Sequence, residues 1–340
     1  MTRRPGYVCT SFVAAAVIVS ANFAHAQSPA EFFKGKTVAL QVGFGPGGEN
    51  DAWARVISQH FGHHIPGNPT VVVQHMPGSG GLLVANRLYN TAPKDGTAIG
   101  MINRAIPFEP LLAGPGTQFD ALKFIYVGSS GLDTTICAAR KDAKVQTMQD
   151  LYTTELAVGG TGSGADTAIY PQFLAALLGM KFKLVQGYKG SGEIQLAMER
   201  KEVDGICVAY DSVLRGNLAR RGELNILLQA GLEPDPRIKD VPQALQAARS
   251  KEDRQALELF FARVDMGRPF VLPPDVPADR VAAIRTAFQA MLKNAAFLAD
   301  AEKLRLRVVA TTGEQMAELV ANAYKTPSDI VKRTIKALGR

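Results

Sequence analysis

Short apolar runs alternate along the chain with segments whose apolar residues recur every three or four positions, the pattern of strands alternating with amphipathic helices. TVALQVGF (residues 37–44), TVVVQHM (70–76) and TAIGMI (97–102) read as strands, with helices expected over 50–61 and 82–89. FIYVGSS (124–130) and TTICAA (134–139) follow as consecutive strands. The middle repeats the rhythm: strands over 155–159, 182–186, 203–209 and 225–229, helices over 165–178 and 193–200, and a short helix near Asp211. A polar helical stretch, 251–260, precedes the strand-like RPFVLPP (268–274). Beyond it the pattern turns helical. Pro277-Ala278-Asp279 opens a helix with Val281, Ile284, Phe288, Met291 and Leu292 on its apolar face, and helices over 295–303, 313–323 and 327–338 follow. The class this predicts is α/β.

At 340 residues the chain exceeds the size at which one hydrophobic core stops growing, roughly 250–300 residues, so two domains are expected. No repeat and no long linker is visible, which suggests domains joined by crossing strands rather than by a tether.

The first 26 residues change the picture of where the protein works. Arg3 and Arg4 precede an apolar run from Ser11 to Ala24, and Ala24-His25-Ala26 is a small-x-small cleavage pattern. That is a secretory signal peptide, cleaved after Ala26, and it predicts a periplasmic protein. The apolar run is shorter than the roughly 20 residues of a spanning helix. Cys9 lies before the apolar core, so no lipoprotein anchor is expected. The whole chain carries a net charge of +7; losing two arginines and no acid leaves +5. The densest basic pairs, Arg220-Arg221 and Lys332-Arg333, are too sparse for a nucleic-acid footprint, and no nucleic-acid partner is expected. Cys137 and Cys207 remain, both in apolar strand-like runs; buried free thiols are preferred over a bridge, although export permits one.

Candidate chemistry is concentrated in three segments of one design: strand, Gly-rich turn, helix. They are GFGPGGENDAWAR (43–55), MPGSGGLLVANR (76–87) and GGTGSGADTAIY (159–170). A helix N-terminus offers unpaired backbone N–H groups and the positive end of the helix dipole, and glycine lets a ligand approach them; the combination suits a carboxylate or phosphate. Gly43-x-Gly45-x-x-Gly48 also fits the dinucleotide fingerprint, but no acid lies between Asp51 and Asp95 where that motif needs one. Asn50 and Asp51 are read equally as helix caps and as ligand contacts. Two cations stand out: Arg268, just after Met266-Gly267 at an expected domain junction, and Lys189 in YKGSGE. Trp53, the single tryptophan, is assigned to the core.

The sequence offers little for catalysis. His60 and His64 are four apart, but no Glu completes an H-E-x-x-H pattern, and they read as surface histidines at a helix end. There is no G-x-S-x-G elbow and no CxxC, and no Asp/Glu pair stands out for acid–base work. No catalytic residue, metal or cofactor is expected.

Taken together, the motifs resemble the substrate-binding components of tripartite tricarboxylate transporters, the Bug-type periplasmic receptors. VGFGPGGENDAWAR is similar to a V-x-F-x-P-G-G-x-x-D-x-x-A-R pattern, VVVQHMPGSGG to V-V-V-E-N-x-P-G-A-G-G, and APKDGTAIG to A-x-D-G-Y-T. VGGTGSGADT matches the second lobe's turn, and GYKGSGEIQLAMERKEVDGIC a Y-K-G-x…G-x-V-D segment. The resemblance implies a two-lobed, type II Venus-flytrap periplasmic-binding-protein fold with a ligand cleft between the lobes. The lobes would be 27–130 plus 250–340, and 131–249. It implies a non-enzymatic receptor that closes on a small organic carboxylate and delivers it, as a monomer, to integral-membrane transporter subunits. An extracytoplasmic sensing subunit for a membrane signalling partner is the alternative. Ligand contacts would fall on Phe44, Gly47, Gly48, Asn50 and Asp51 of the first turn, Gly78, Ser79 and Gly80 of the second, and Thr161, Gly162 and Ser163 of the third. Glu49 and Asn50 stand where the pattern has Gly and Thr, and Gln74-His75-Met76 replaces Glu-Asn-Arg. An inward-pointing Glu49 would disfavour a highly charged anion such as citrate.

Overall fold

The computed structural model describes residues 1–2, 27–47, 49–132, 134–161 and 165–340; apart from its first two residues, the expected signal peptide lies outside them. The first described element is a capped single turn of helix, α1 (Pro29–Phe33), absent from the sequence expectation. Then come β1 (Thr37–Val42), α2 (Glu49–Phe61), β2 (Thr70–His75), α3 (Leu82–Asn90), β3 (Ala98–Met101) and β4 (Ile125–Ser129). The middle holds β5 (Thr135–Arg140), β6 (Leu156–Gly160), α4 (Asp166–Leu178), β7 (Phe182–Gln186), α5 (Ser191–Glu199), β8 (Gly205–Ala209), α6 (Tyr210–Leu214), α7 (Asn217–Arg220) and β9 (Leu224–Ala230). The last part is α8 (Lys251–Asp265), β10 (Pro269–Leu272), α9 (Ala278–Leu292), α10 (Ala295–Lys303), β11 (Thr311–Thr312), α11 (Gly313–Ala323) and α12 (Ser328–Ala337).

The strands form two sheets of matching design. One runs β11-β4-β10-β3-β1-β2, the other β7-β6-β8-β5-β9. In each, the main strands are parallel, and an antiparallel strand is inserted beside the third by a chain arriving from the other sheet; the first sheet also carries β11, antiparallel to β4, at its edge. β5 enters the second sheet directly after β4, and β10 returns to the first after α8. Parallel pairing demands a crossover, and α2, α3, α4 and α5 supply them. Burial follows that role. In α2, Trp53, Ala54, Val56, Ile57 and Phe61 are buried, with Phe61 edge-on to Phe288 of α9. α4 is buried nearly all round and ends at Gly179, whose φ of 74° closes the helix in the left-handed region.

The two crossings meet closely. A Cβ on Gly267, which has φ +55°, would lie 1.8 Å from the Gly131 carbonyl oxygen, so only glycine lets these backbones touch. Ser129 joins them, donating to Gly131 O at 3.1 Å and accepting from Arg268 N–H at 2.8 Å. α8 is a shared wall: Leu257, Phe260 and Phe261 pack with the second sheet's core, while Leu259 and Ala262, with Met266 just past the helix end, pack with the first's. Its Ser250 cap accepts the Asp253 N–H, and Asp253 in turn accepts from Arg333 of α12 at 3.1 Å.

The expectation for the cysteines is corrected: Cys137 and Cys207 form a disulfide. β5 and β8 pair antiparallel with these two residues directly opposite, their Cα atoms 4.0 Å apart. Register between distant segments decides this. No helix among the described residues is long and apolar enough to cross a membrane.

Candidate ligand-binding cleft

The first Gly-rich turn is built around a buried carboxylate. A Cβ on Gly43 would meet Gly81 Cα at 2.5 Å, so the first and second turns pack backbone on backbone. Asp51, 4% exposed, accepts the Gly47 N–H at 2.8 Å and Arg55 Nε at 2.9 Å. His75, at the end of β2, places Nε2 2.9 Å from Asp51 Oδ1 and Nδ1 2.9 Å from the Phe44 carbonyl oxygen. Burial opposes charge on Asp51, but the Gly47 N–H, Arg55 and His75 hold its carboxyl below the usual range. Asp51 thus shapes the turn from inside, and His75 ties that turn to the neighbouring strand.

A cavity of about 160 Å³ lies between the two sheets at the carboxyl ends of their strands, the usual ligand position in open α/β sheets. Phe44, Glu49, Asn50 and the loop 102–104 line it from the first sheet. Asp166 at the start of α4, Val208 and Ala209 at the end of β8, and Ser212 on α6 line it from the second. Gly267 and Arg268 complete it from the crossing. A second cavity, of about 330 Å³, adjoins it and shares Glu49 and Ser212.

Charge in the cleft is paired across the sheets. Arg104, buried, donates to Thr135 Oγ1 at 2.8 Å and to Asp166. Burial opposes ionisation of Asp166, yet the charge and hydrogen bond of Arg104, with Arg263 and Arg268 nearby, keep its carboxyl below the usual range. Arg263 is fully enclosed, its guanidinium 4.1 Å over the Phe260 ring, and burial pushes its pKa down. Glu49 Oε1 accepts from Arg268 Nη2 at 2.6 Å, and Arg215 Nη2 lies 3.7 Å from Oε2. Burial again opposes the charge, and Arg268, Arg215 and the Trp53 indole hold the carboxyl below its ordinary range. Glu49 does point inward, but with two guanidinium groups on it. Among the described residues no cluster of metal-ligating side chains occurs.

Of the residues singled out from the sequence, Phe44, Asn50 and Arg268 line the cavity. Gly47 spends its N–H on Asp51. Gly78, Ser79 and Gly80 are exposed and line neither cavity; their turn packs against the first Gly-rich turn through Gly81. The Thr161 N–H and hydroxyl both lie 3.0 Å from Thr167 Oγ1. Gly48, Gly162 and Ser163 lie outside the described residues. Lys189 is exposed and lines neither cavity; its N–H is held by Glu193. Trp53 is buried in the core, as expected, and also borders Glu49. His60, in the last turn of α2, is half-buried, with its Nε2 3.0 Å from Asp300 of α10. Sequence reasoning missed Arg104, Asp166, Ser212 and Arg215. Asp166 had one available signal, an acid in the first turn of a helix that follows a Gly-rich turn. The three others carry no local motif.

Comparison with known proteins adds independent findings. Residues 54–336 match the profile of the tripartite tricarboxylate transporter family receptor. A UPF0065 protein from the gbd 5′ region of Cupriavidus necator is 27% identical over 244 residues, 68% of this chain and 72% of that protein. Solved structures share the fold. A ligand-free TctC solute-binding protein from Polaromonas superposes with a TM-score of 0.67 at 15% identity, covering 88% of this chain and 98% of that one. MatC from Rhodopseudomonas palustris with bound malate gives 0.62 at 21%, covering 87% and 99%. An adipate-bound protein of the same organism gives 0.63 at 16%, covering 88% and 97%. The two sheets and their crossings are therefore the two lobes of a periplasmic-binding-protein fold.

Proposed function

The chain belongs to the tripartite tricarboxylate transporter receptor family, a family of solute receptors and not of enzymes, and from that premise we propose that it captures a small organic carboxylate in the cleft between its lobes. The lobes are residues 27–130 with 250–340, and 131–249, with α8 and α12 packed as a wall along their junction. Closure about the Gly131–Gly267 crossing brings the second lobe onto a carboxylate held by the first turn. The exported monomer, cleaved after Ala26, then hands its ligand to integral-membrane transporter subunits in the periplasm.

One observation carries the ligand class. Two carboxylates of the protein, Glu49 and Asp166, stand among four guanidinium groups: Arg268 and Arg215 beside the first, Arg104 and Arg263 beside the second. The positive surplus, partly shielded from water, favours an anion, and guanidinium suits carboxylate geometry. Malate and adipate in two structures of the same fold support that class.

Thermal unfolding of ligand-free protein against mono-, di- and tricarboxylates, acidic amino acids and aromatic acids tests it. A ligand at 100 times its Kd adds about 2.7 kcal/mol, a clear rise in midpoint. No rise with any acid sinks the carboxylate reading.

A further inference from the structure

The second cavity has chemistry that the first turn does not explain. It lies between the first turn of α5, which lines it through Ser191 and Gly192, and the α6–α7 segment, which lines it through Ser212, Arg215 and Asn217. Glu49 stands on the boundary between the two cavities. Its Oε1 is hydrogen-bonded to Arg268, whereas its Oε2 is 3.7 Å from Arg215 Nη2, an ion pair too long for a hydrogen bond. That Arg215 nitrogen is buried and donates to nothing. An unmade donor of this kind is costly, and a guanidinium edge matches a carboxylate two bonds at a time. Buried Gln195 adds an unfilled acceptor, Oε1, to the same wall. The α5 cap, Gly190, brings no side-chain oxygen to the helix start. Leu196, 48% exposed, adds apolar surface to the lining.

Resting on the carboxylate reading above, we propose that Arg215 is a specificity-determining residue that receives the distal carboxylate of an α,ω-dicarboxylate. The proximal carboxylate lies in the first cavity, the methylene spacer passes Glu49 beside Leu196, and the distal carboxylate completes the Arg215 guanidinium. Arg215 gives up its long contact with Glu49, which keeps Arg268. A monocarboxylate of equal length leaves Arg215 incomplete and binds more weakly.

The test is titration calorimetry of the full protein with succinate through pimelate, each beside its own monomethyl ester. The parent should bind at least one diacid at least tenfold more tightly than its half-ester. Arg215→Gln should bring the two within about threefold by weakening the diacid much more than the half-ester, which loses only the general attraction of one positive charge, and Arg215→Lys should restore part of the preference. Half-ester binding that persists in the variant also shows that it is folded. Equal binding of diacid and half-ester by the parent overturns the role of Arg215 while leaving the carboxylate reading intact, and needs no variant. A preference that survives in Arg215→Gln overturns it as well. A parent that binds neither diacids nor half-esters, nor any other acid, overturns both.

Discussion

Single residues show how far local sequence reaches. Asp51 is legible because its partners Gly47 and Arg55 lie within one turn of it. Arg104 is not, since it acts through Thr135 and Asp166, 31 and 62 residues away. Glu49 is legible as a departure from the family pattern but not in its consequence, because Arg268 and Arg215 reach it from distant segments. Asp265 is invisible in the sequence and has a measurable effect. It ends α8 half-buried, and burial, with Glu233 nearby, pushes its pKa up to about 6 from 3.8. An acid whose folded pKa is raised adds stability that is full below the unfolded value and lost as pH climbs through the folded one. Ionised Asp265 should therefore cost up to about 3 kcal/mol at pH 7.5, less what solvent screens at this half-buried site. Asp265→Asn is expected to raise Tm at pH 7.5 and to leave it nearly unchanged at pH 4. An equal shift at both pH values would mean that packing, not charge, is responsible.

At the scale of elements, the strands and helices of the two sheets were legible because period-2 and period-3.6 patterns are local. What escaped was pairing. The apolar runs around Cys137 and Cys207 give no register, and only the antiparallel pairing of β5 with β8 sets the two residues opposite each other. The bridge ties the strand that enters from the first sheet to the strand whose end supplies Val208 and Ala209 to the cleft. It closes a loop of 70 residues, for which loop-closure entropy gives about 4 kcal/mol of stabilisation. Denaturant unfolding of Cys137→Ala/Cys207→Ala should show a loss of that order; a loss below about 1 kcal/mol would mean that the cross-link hardly constrains the unfolded chain. The packing of α8 escaped as well. Its sequence reads as a polar helical stretch, yet Phe260 and Phe261 meet Tyr170 and Phe173 of α4, and its opposite face packs on the first sheet's core.

For the whole molecule, the matched strand orders and the Gly131–Gly267 contact define two lobes joined by two crossings. Ion pairs span the cleft between them: Arg104 to Asp166, Glu49 to Arg215, and Arg307 to Asp235. The last two, at 3.7 Å, lie on the loose side of contact and leave room for a ligand's charge to replace the chain's own. The central claim is that a carboxylate occupies the cleft on a turn shaped by Asp51. Its most direct test is titration calorimetry of parent and Asp51→Ala with the acid that gives the largest thermal shift. We expect one site per chain in the parent and at least tenfold weaker binding in the variant, about 1.4 kcal/mol or more, with the variant still folded. Equal affinity in the two proteins would contradict it, because the site would then lie somewhere other than on this turn.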